Sequence, residues 1–219
     1  MTDEVTYHFT ELDVKVQQKI IDDYREGYQL DWNWWEGTYE HFKGVLEALG
    51  FSLTYKDGGA GRADKPAIWF SGFSSQGDGA SFAAKYRYIG DVSTELVKHT
   101  EDATILKIAE ELALLQIKNR MLGVPTFSAV ISTTSGMYVH SNTMDAEADF
   151  ESDADIKDEW WPILDQNAAD IRDIARRLAD WLYKELEAEH DYLLSDESIE
   201  QYVNCTDYRY TVDGELITD

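Results

Sequence analysis

The chain has 219 residues, 43% hydrophobic and 13% aromatic, enough apolar material for a substantial core, which excludes a disordered acidic tail. Its formal net charge of −24 repels nucleic acid and anionic membranes and attracts basic protein surfaces and cations. The length fits a single domain spanning 1–219.

From the N-terminus, Thr10 followed by Asp13 resembles a capping box. Leu12, Val16, Ile20 and Tyr24 then predict a helix ending at Gly27. Asp31 is the expected cap of the next helix. Its Trp35, Tyr39, Phe42, Leu46 and Leu49 step by 4, 3, 4 and 3 onto one face, and Gly50 stops it. Trp32, Trp34 and Trp35 read as packing residues. Phe51, Leu53 and Tyr55 alternate as a short strand, GGAGR makes a loop, and Ala67 to Phe73 is a β-prone run. Phe82, Ala84, Tyr86 and Tyr88 predict one face of another strand, with Ser81, Lys85 and Arg87 on the other.

Asp102 is placed to cap a helix from Ala103 to about Met121, carried by Ile105, Ile108, Ala109, Leu112 and Leu115 and ended by Gly123 and Pro125. Phe127, Ala129 and Ile131 alternate, and TTSG then predicts a hairpin returning through Met137–Ser141. A long amphipathic helix is expected from Pro162, with Ile171, Ile174, Leu178, Trp181 and Leu182 buried. Asp173–Arg177 and Asp180–Lys184 are i,i+4 pairs on its wet face. Ser195 is a plausible cap of a short helix, and a hairpin turning at Asp213–Gly214 ends the chain. This order predicts an α+β fold, a mostly antiparallel sheet with several amphipathic helices packed on one face.

Charge is distributed unevenly. Residues 145–219 hold 23 acids against 6 bases, a net of −17, which leaves −7 for residues 1–144. Such asymmetry favours a local purpose over uniform salt adaptation. Cys205 is the single cysteine, so no intrachain disulfide is expected, and a reducing cytoplasm fits. The opening MTDEVTYHFTELD lacks the pattern of a signal peptide, and no apolar run approaches the ~18 residues of a membrane span.

Three constellations could carry chemistry. The segment 145-DAEADFESDADIKDE-159 sets Asp145, Glu147, Asp149, Glu151, Asp153 and Asp155 at alternate positions, followed by Asp158 and Glu159. An EF-hand loop needs Gly at position 6 and Glu at position 12, and no register supplies them. A shared watery environment also fails to separate the pKa values of a catalytic pair. The segment therefore reads as a solvated tether or as a surface shaped like a nucleic-acid backbone. The second constellation is 70-FSGFSSQGDGASF-82, whose Ser74, Ser75, Gln76 and Asp78 stand among glycines between two β-prone runs. It matches neither a phosphate loop nor a G-x-S-x-G elbow, and reads as a shaped hairpin loop or a recognition loop. The third is histidine: His8, His41, His99, His140 and His190 show no zinc-hydrolase spacing, and His140 alone lies near the acids.

FSGFSSQGDGASF, with the early FTELD…WW…YEHF pattern and the GMYVHSNTM segment, resembles a family of small bacteriophage-encoded proteins. They share a hairpin of the form F-[SW]-G-F-x-S-Q-G-D-G-A-x-F, and some carry an antitoxin-like label. The resemblance implies phage origin and supplies no active site.

Together these readings give an expectation of a phage-encoded inhibitor, not an enzyme, in the cytoplasm of the host bacterium. It would bind the basic nucleic-acid-binding surface of a host defence protein through Asp145, Glu147, Asp149, Glu151, Asp153, Asp155, Asp158 and Glu159. No cofactor, metal or direct nucleic-acid contact is expected, and a homodimer is left open. The first alternative is an antitoxin-like module recognising its partner through Ser74, Ser75, Gln76 and Asp78. The second is a metal-dependent hydrolase using Asp78, His140 and part of the acidic run.

Overall fold

A computed structural model of the protein describes residues 5–27, 33–56, 65–90, 96, 98–124, 126–134, 139–149 and 156–217. Expectations for Asp31, Trp32, the GGAGR loop, Pro125, residues 135–138 of the second hairpin, and Glu151, Asp153 and Asp155 lie outside the described residues. The chain divides into two compact units, Met1–Glu36 with Glu187–Asp219, and Gly37–Leu186.

In the first unit a 3-10 turn, Phe9–Glu11, precedes α1 (Val14–Gly27). The cap differs from the expected Thr10–Asp13 box. Thr10 lies inside the 3-10 turn, Glu11 accepts a 2.7 Å hydrogen bond from the His8 backbone N–H, and the carbonyl of Asp13 starts the helix. Phe9, Leu12, Ile20 and Ile21 pack with Ile199, Val203 and Tyr210 into one apolar cluster. The C-terminal hairpin is reduced to bridges, in which Tyr210 pairs with both Tyr7 and Leu216, and Gly214 turns with φ +84.

The second unit opens with α2 (Glu36–Ala48). Phe51–Leu53 (β1) and Tyr55–Lys56 (β2) follow, and then Lys65–Pro66 (β3) and Ile68–Phe70 (β4). After the polar loop come Ala80–Phe82 (β5) and Ala84–Arg87 (β6), then α3 (Ala103–Met121) and Ser128–Thr133 (β7). A 3-10 turn at Ser141–Thr143 leads into Met144–Ala148 (β8), and a second at Asp158–Trp160 leads into α4 (Trp161–Leu193). Past Leu186, α4 belongs to the first unit, as does α5 (Asp196–Cys205), capped by Ser195 accepting from the Ser198 N–H.

The architecture is α+β. The main sheet has the order β1-β6-β7-β8, and every pairing in it is antiparallel. Two short ribbons, β2–β3 and β4–β5, flank it. One face is apolar because Phe51, Ala84, Tyr86, Ala129, Ile131, Met144 and Ala146 alternate with outward-facing residues, and the register aligns them across the strands. The expected strand through Phe82 and Tyr86 divides at Ala83. There the Ala83 N–H bonds to Ala67 and the Ala83 carbonyl accepts from Thr54, so β5 and β6 join different sheets. Ser81 is consequently buried with its strand instead of facing water.

Helix α3 lies over this core, and Gln116 fastens it. Its amide donates to the Phe127 carbonyl at 3.2 Å and accepts from the Phe127 N–H at 3.3 Å. Burial of Tyr86 beneath it pushes the phenol up to about 12, against the opposing pull of the Gln116 amide. From α2, Phe42 meets Phe82 edge-on at 5.3 Å and Trp181 of α4 at 6.1 Å. Each such buried aromatic contributes about 1.5–3 kcal/mol of apolar transfer. Two further expectations need correction. Arg177 of α4 pairs with Glu111 of α3 instead of Asp173, so it joins two helices and not two turns of one. The strand returning against β7 is Met144–Ala148 and not Met137–Ser141, because Val139 and His140 run directly into the 3-10 turn.

Candidate functional site

That second correction changes what the acidic run is. Its first residues are the edge strand of the main sheet. Ala146 and Met144 face the core, so Asp145 and Glu147 face outward, opposite Ser132 and Val130 of β7. Asp149 extends the row, held by its N–H to the Ser128 carbonyl at 2.9 Å and by its own carbonyl accepting from the Ser128 hydroxyl at 2.6 Å. Carboxylates at alternate strand positions stand ~6.6–6.8 Å apart. Their cross-strand neighbours are neutral. The nearest cations across the sheet, Lys85 and Arg87, sit one strand further, ~9.6 Å away at ordinary strand spacing. The anionic zone therefore follows the β8 edge and does not cover the whole outer face.

Helix α4 borders this edge and carries acids of its own. Asp158 and Glu159 are exposed in the 3-10 turn before it, where Lys157 lies 3.9 Å from Glu159 and over the Trp160 ring at 4.9 Å. A shallow groove of about 400 Å³ lies between β8 and α4, floored by alanines, with Glu147, Asp165 and the Trp161 indole on its lining. Arg172 also lines it, but its guanidinium is shared between Asp145 at 3.9 Å and Asp173 at 3.4 Å.

Sequence reading missed the residues that hold this edge in place. Arg176 donates two hydrogen bonds, of 3.2 and 2.8 Å, to the outward-turned carbonyl of Met144, and one of 3.4 Å to Asn142. Two turns on, the Tyr183 hydroxyl donates to the Gly72 carbonyl at 3.1 Å. Positions 172, 176 and 183 share one helical flank, and that spacing was legible, but nothing local identifies backbone carbonyls as their targets.

The SQGDG loop is internally organised. The Asp78 carboxylate accepts from the N–H groups of Ser74 at 3.0 Å and Ser75 at 2.7 Å, and Gly77 turns with φ +99. Asp78 is thus occupied within the loop, whereas Ser74, Ser75 and Gln76 are exposed at its tip. At the base, the Ser71 hydroxyl donates to the Val139 carbonyl at 3.3 Å, and Gly79 lies against His140. The structure therefore brings the loop base onto the segment that leads into β8.

His140 buries its Nδ1 with no hydrogen-bond partner among the described residues. No three His, Cys, Asp or Glu side chains gather to hold a metal ion among the described residues. No helix among them is long and apolar enough to cross a membrane. A further charged group unnoticed in the sequence is Lys56. It donates to the Ile68 carbonyl at 2.7 Å and lies 3.6 Å over the Trp69 ring. Burial and then the opposing Lys65 pull its amine down to about 8, while the indole face and the carbonyl favour the ammonium form.

The profile of one protein family, described as a domain of unknown function (DUF8835), matches residues 34–196. No curated protein and no solved structure matches the chain.

Proposed function

We propose, for a chain that belongs to the DUF8835 family, that it is a phage-encoded inhibitor which occupies the basic nucleic-acid-binding surface of a host defence protein. The observation that supports this reading is the row Asp145, Glu147 and Asp149 on a hydrogen-bonded edge strand, with Asp165 of α4 lining the same groove as Glu147. A flexible acidic tether would lose conformational entropy on binding. A strand already fixed against β7 and tied to α4 by Arg176 has its carboxylates positioned beforehand. Arginines of the partner would take such carboxylates as paired, charge-assisted hydrogen bonds in place of phosphates. The spacing along one row is about twice the ~3.4 Å of axis per phosphate of a single DNA strand. The acids at the start of α4 are therefore needed as a second row. Phage origin rests on the resemblance of the FSGFSSQGDGASF segment, and the host-cell cytoplasm follows from it.

The test is a neutralised variant, Asp145→Asn, Glu147→Gln, Asp149→Asn, Asp158→Asn and Glu159→Gln. It is assayed by its ability to displace a labelled DNA duplex from purified basic defence nucleases. The native chain should displace DNA, with an affinity that falls as salt rises, and the variant should lose at least about tenfold (~1.4 kcal/mol). Displacement that is unaffected by neutralisation or by salt would end the proposal.

A second reading keeps one favourable observation: Ser74, Ser75 and Gln76 stand exposed on a loop whose backbone is already fixed by Asp78. In that antitoxin-like case, Ser74→Ala, Ser75→Ala and Gln76→Ala together abolish partner binding, and the neutralised acids leave it intact.

A further inference from the structure

Strand β8 is the outer strand of the main sheet, and β7 uses only one of its two backbone edges. The Thr143 carbonyl accepts from the Thr134 N–H at 3.1 Å, and the Asp149 N–H donates to Ser128 at 2.9 Å, which fixes the alternation of the ladder. Residues 143, 145, 147 and 149 therefore bond to β7, and Met144, Ala146 and Ala148 turn their N–H and C=O groups the other way. Two of these outward groups are taken. Arg176 donates to the Met144 carbonyl, and the Ala146 N–H donates to the Asp145 carboxylate at 2.9 Å. Among the described residues no hydrogen bond reaches the Ala146 carbonyl or the Ala148 N–H. Both residues line the groove against α4, where Ala168, Ala169 and the Trp161 indole stand opposite them. An open strand edge beside a groove is the setting in which an extended peptide adds to a sheet.

Charge decides the occupant. Whichever way an added strand runs, the residue beside Glu147 points to the same outer face as Glu147, and the residue two positions along meets Asp149. Neither carboxylate has a cation on its β7 side, where the paired residues are Val130 and Ser128. Asp165 adds an acid on the helix side, and the one cation on the lining, Arg172, is already held by Asp145 and Asp173. The complement is a segment with lysine or arginine at alternate positions and apolar residues between, the latter lying on the alanines and the indole. Lys85 and Arg87 alternate in this way, but β6 is paired on both edges, so a second copy of the chain cannot supply them.

We infer that the groove between β8 and α4 takes an extended segment of another protein as a further strand of the main sheet, its alternate cationic side chains set against Glu147 and Asp149. The inference rests on the reading of the β8 acids as contacts for a basic partner, and it names the form in which that partner meets them. The probe is a fluorescein-labelled peptide in which lysine and valine alternate, read by anisotropy against the full chain. Binding should show a Kd below ~1 mM and be at least about fivefold tighter than for a peptide with the same residues in two blocks. Ala148→Pro removes the outward N–H and no bond to β7, a change that edge strands accept, and should weaken binding by about fivefold, the worth of one hydrogen bond. Ala168→Phe, which fills the groove from the helix, should do the same, with circular dichroism to check that both variants fold. On the native chain, methylating the peptide's backbone N–H at every lysine or at every valine blocks one of its edges, and one of these two peptides should lose binding. Equal binding of the alternating and block peptides, or of both methylated peptides, would overturn the inference and leave the acids acting as charge alone. Strand-like binding by a chain that fails to displace DNA would support the groove and remove the nucleic-acid reading.

Discussion

Replacing Gly79 by alanine tests how firmly the SQGDG loop is joined to the segment that leads into the acidic strand. A Cβ at Gly79 would lie 2.7 Å from the Cβ of His140, 2.8 Å from its Cα and 3.1 Å from the Val139 carbonyl oxygen. These neighbours are backbone or the first side-chain carbon, so no change of rotamer relieves the clash. The two segments must separate, and separation strains the bonds that close the loop base. These are the Ser71 N–H to the Gly79 carbonyl at 3.0 Å, and the Ser71 hydroxyl, which accepts from Gly79 and donates to Val139 at 3.3 Å each. Overpacking of this kind costs about 1–3 kcal/mol, and one weakened hydrogen bond adds ~1 kcal/mol. With an m-value of ~2 kcal/mol per molar urea, the unfolding midpoint followed by tryptophan fluorescence should fall by ~1–2 M. Gly37 is the control. It lies inside α2 with nothing within 4 Å of its added Cβ, so Gly37→Ala should raise stability by about 0.5–1 kcal/mol through the smaller entropy loss of alanine. If Gly79→Ala unfolds at the native midpoint or above it, the contact between loop and strand leader is not there.

Asp102 caps α3 by accepting from Thr104 at 2.6 Å and Ile105 at 3.4 Å, and it also takes the Trp181 indole N–H at 3.3 Å, so Asp102→Ala should cost about 1–3 kcal/mol in urea unfolding. Burial pushes this carboxyl up, but the Thr104, Trp181 and Ile105 donors outweigh it and hold the carboxyl below its usual range. A depressed carboxyl stabilises the fold above its unfolded pKa, so the difference between native chain and variant should be complete above about pH 5 and fade as the pH falls through the lowered folded value. A difference that grows on acidification would contradict that assignment. Arg176→Met keeps the apolar stem of the side chain and removes the donors to Met144 and Asn142. It should cost ~1–2 kcal/mol and speed amide exchange at Asp145 and Glu147, whereas unchanged protection would show that Arg176 does not hold the edge.

Where apolar periodicity ran long, sequence and structure agree closely. Ala103–Met121 with its Asp102 cap, the buried face from Ile171 to Leu182, and the Ser195 cap all come from side chains interacting within a few residues. Disagreement arises where distant partners decide. Asp173 and Arg177 have the spacing of a helical pair, but Glu111 offers Arg177 a partner on a neighbouring helix. The run from Phe82 to Tyr88 reads as one strand, and only the bonds of Ala83 to Ala67 and Thr54 divide it. No local pattern could place Arg176 on a carbonyl 32 residues away.

The acidic run shows how charge can mask periodicity. Read for its carboxylates, DAEAD looks like solvated chain. Read for what lies between them, Met144, Ala146 and Ala148 alternate as apolar residues of one strand face, and small side chains there let an edge strand lie close beneath a helix. The register that buries Met144 and Ala146 is the same register that exposes Asp145 and Glu147, and a slip of one residue would turn both carboxylates into the core. Stability and the outward row are therefore one property of this segment. A tether could vary in length and charge order without penalty, whereas here the spacing of the carboxylates is imposed by the packing of the sheet. The proposed recognition through these acids therefore draws on a fixed geometry, the arrangement suited to a partner that reads regularly spaced negative charge.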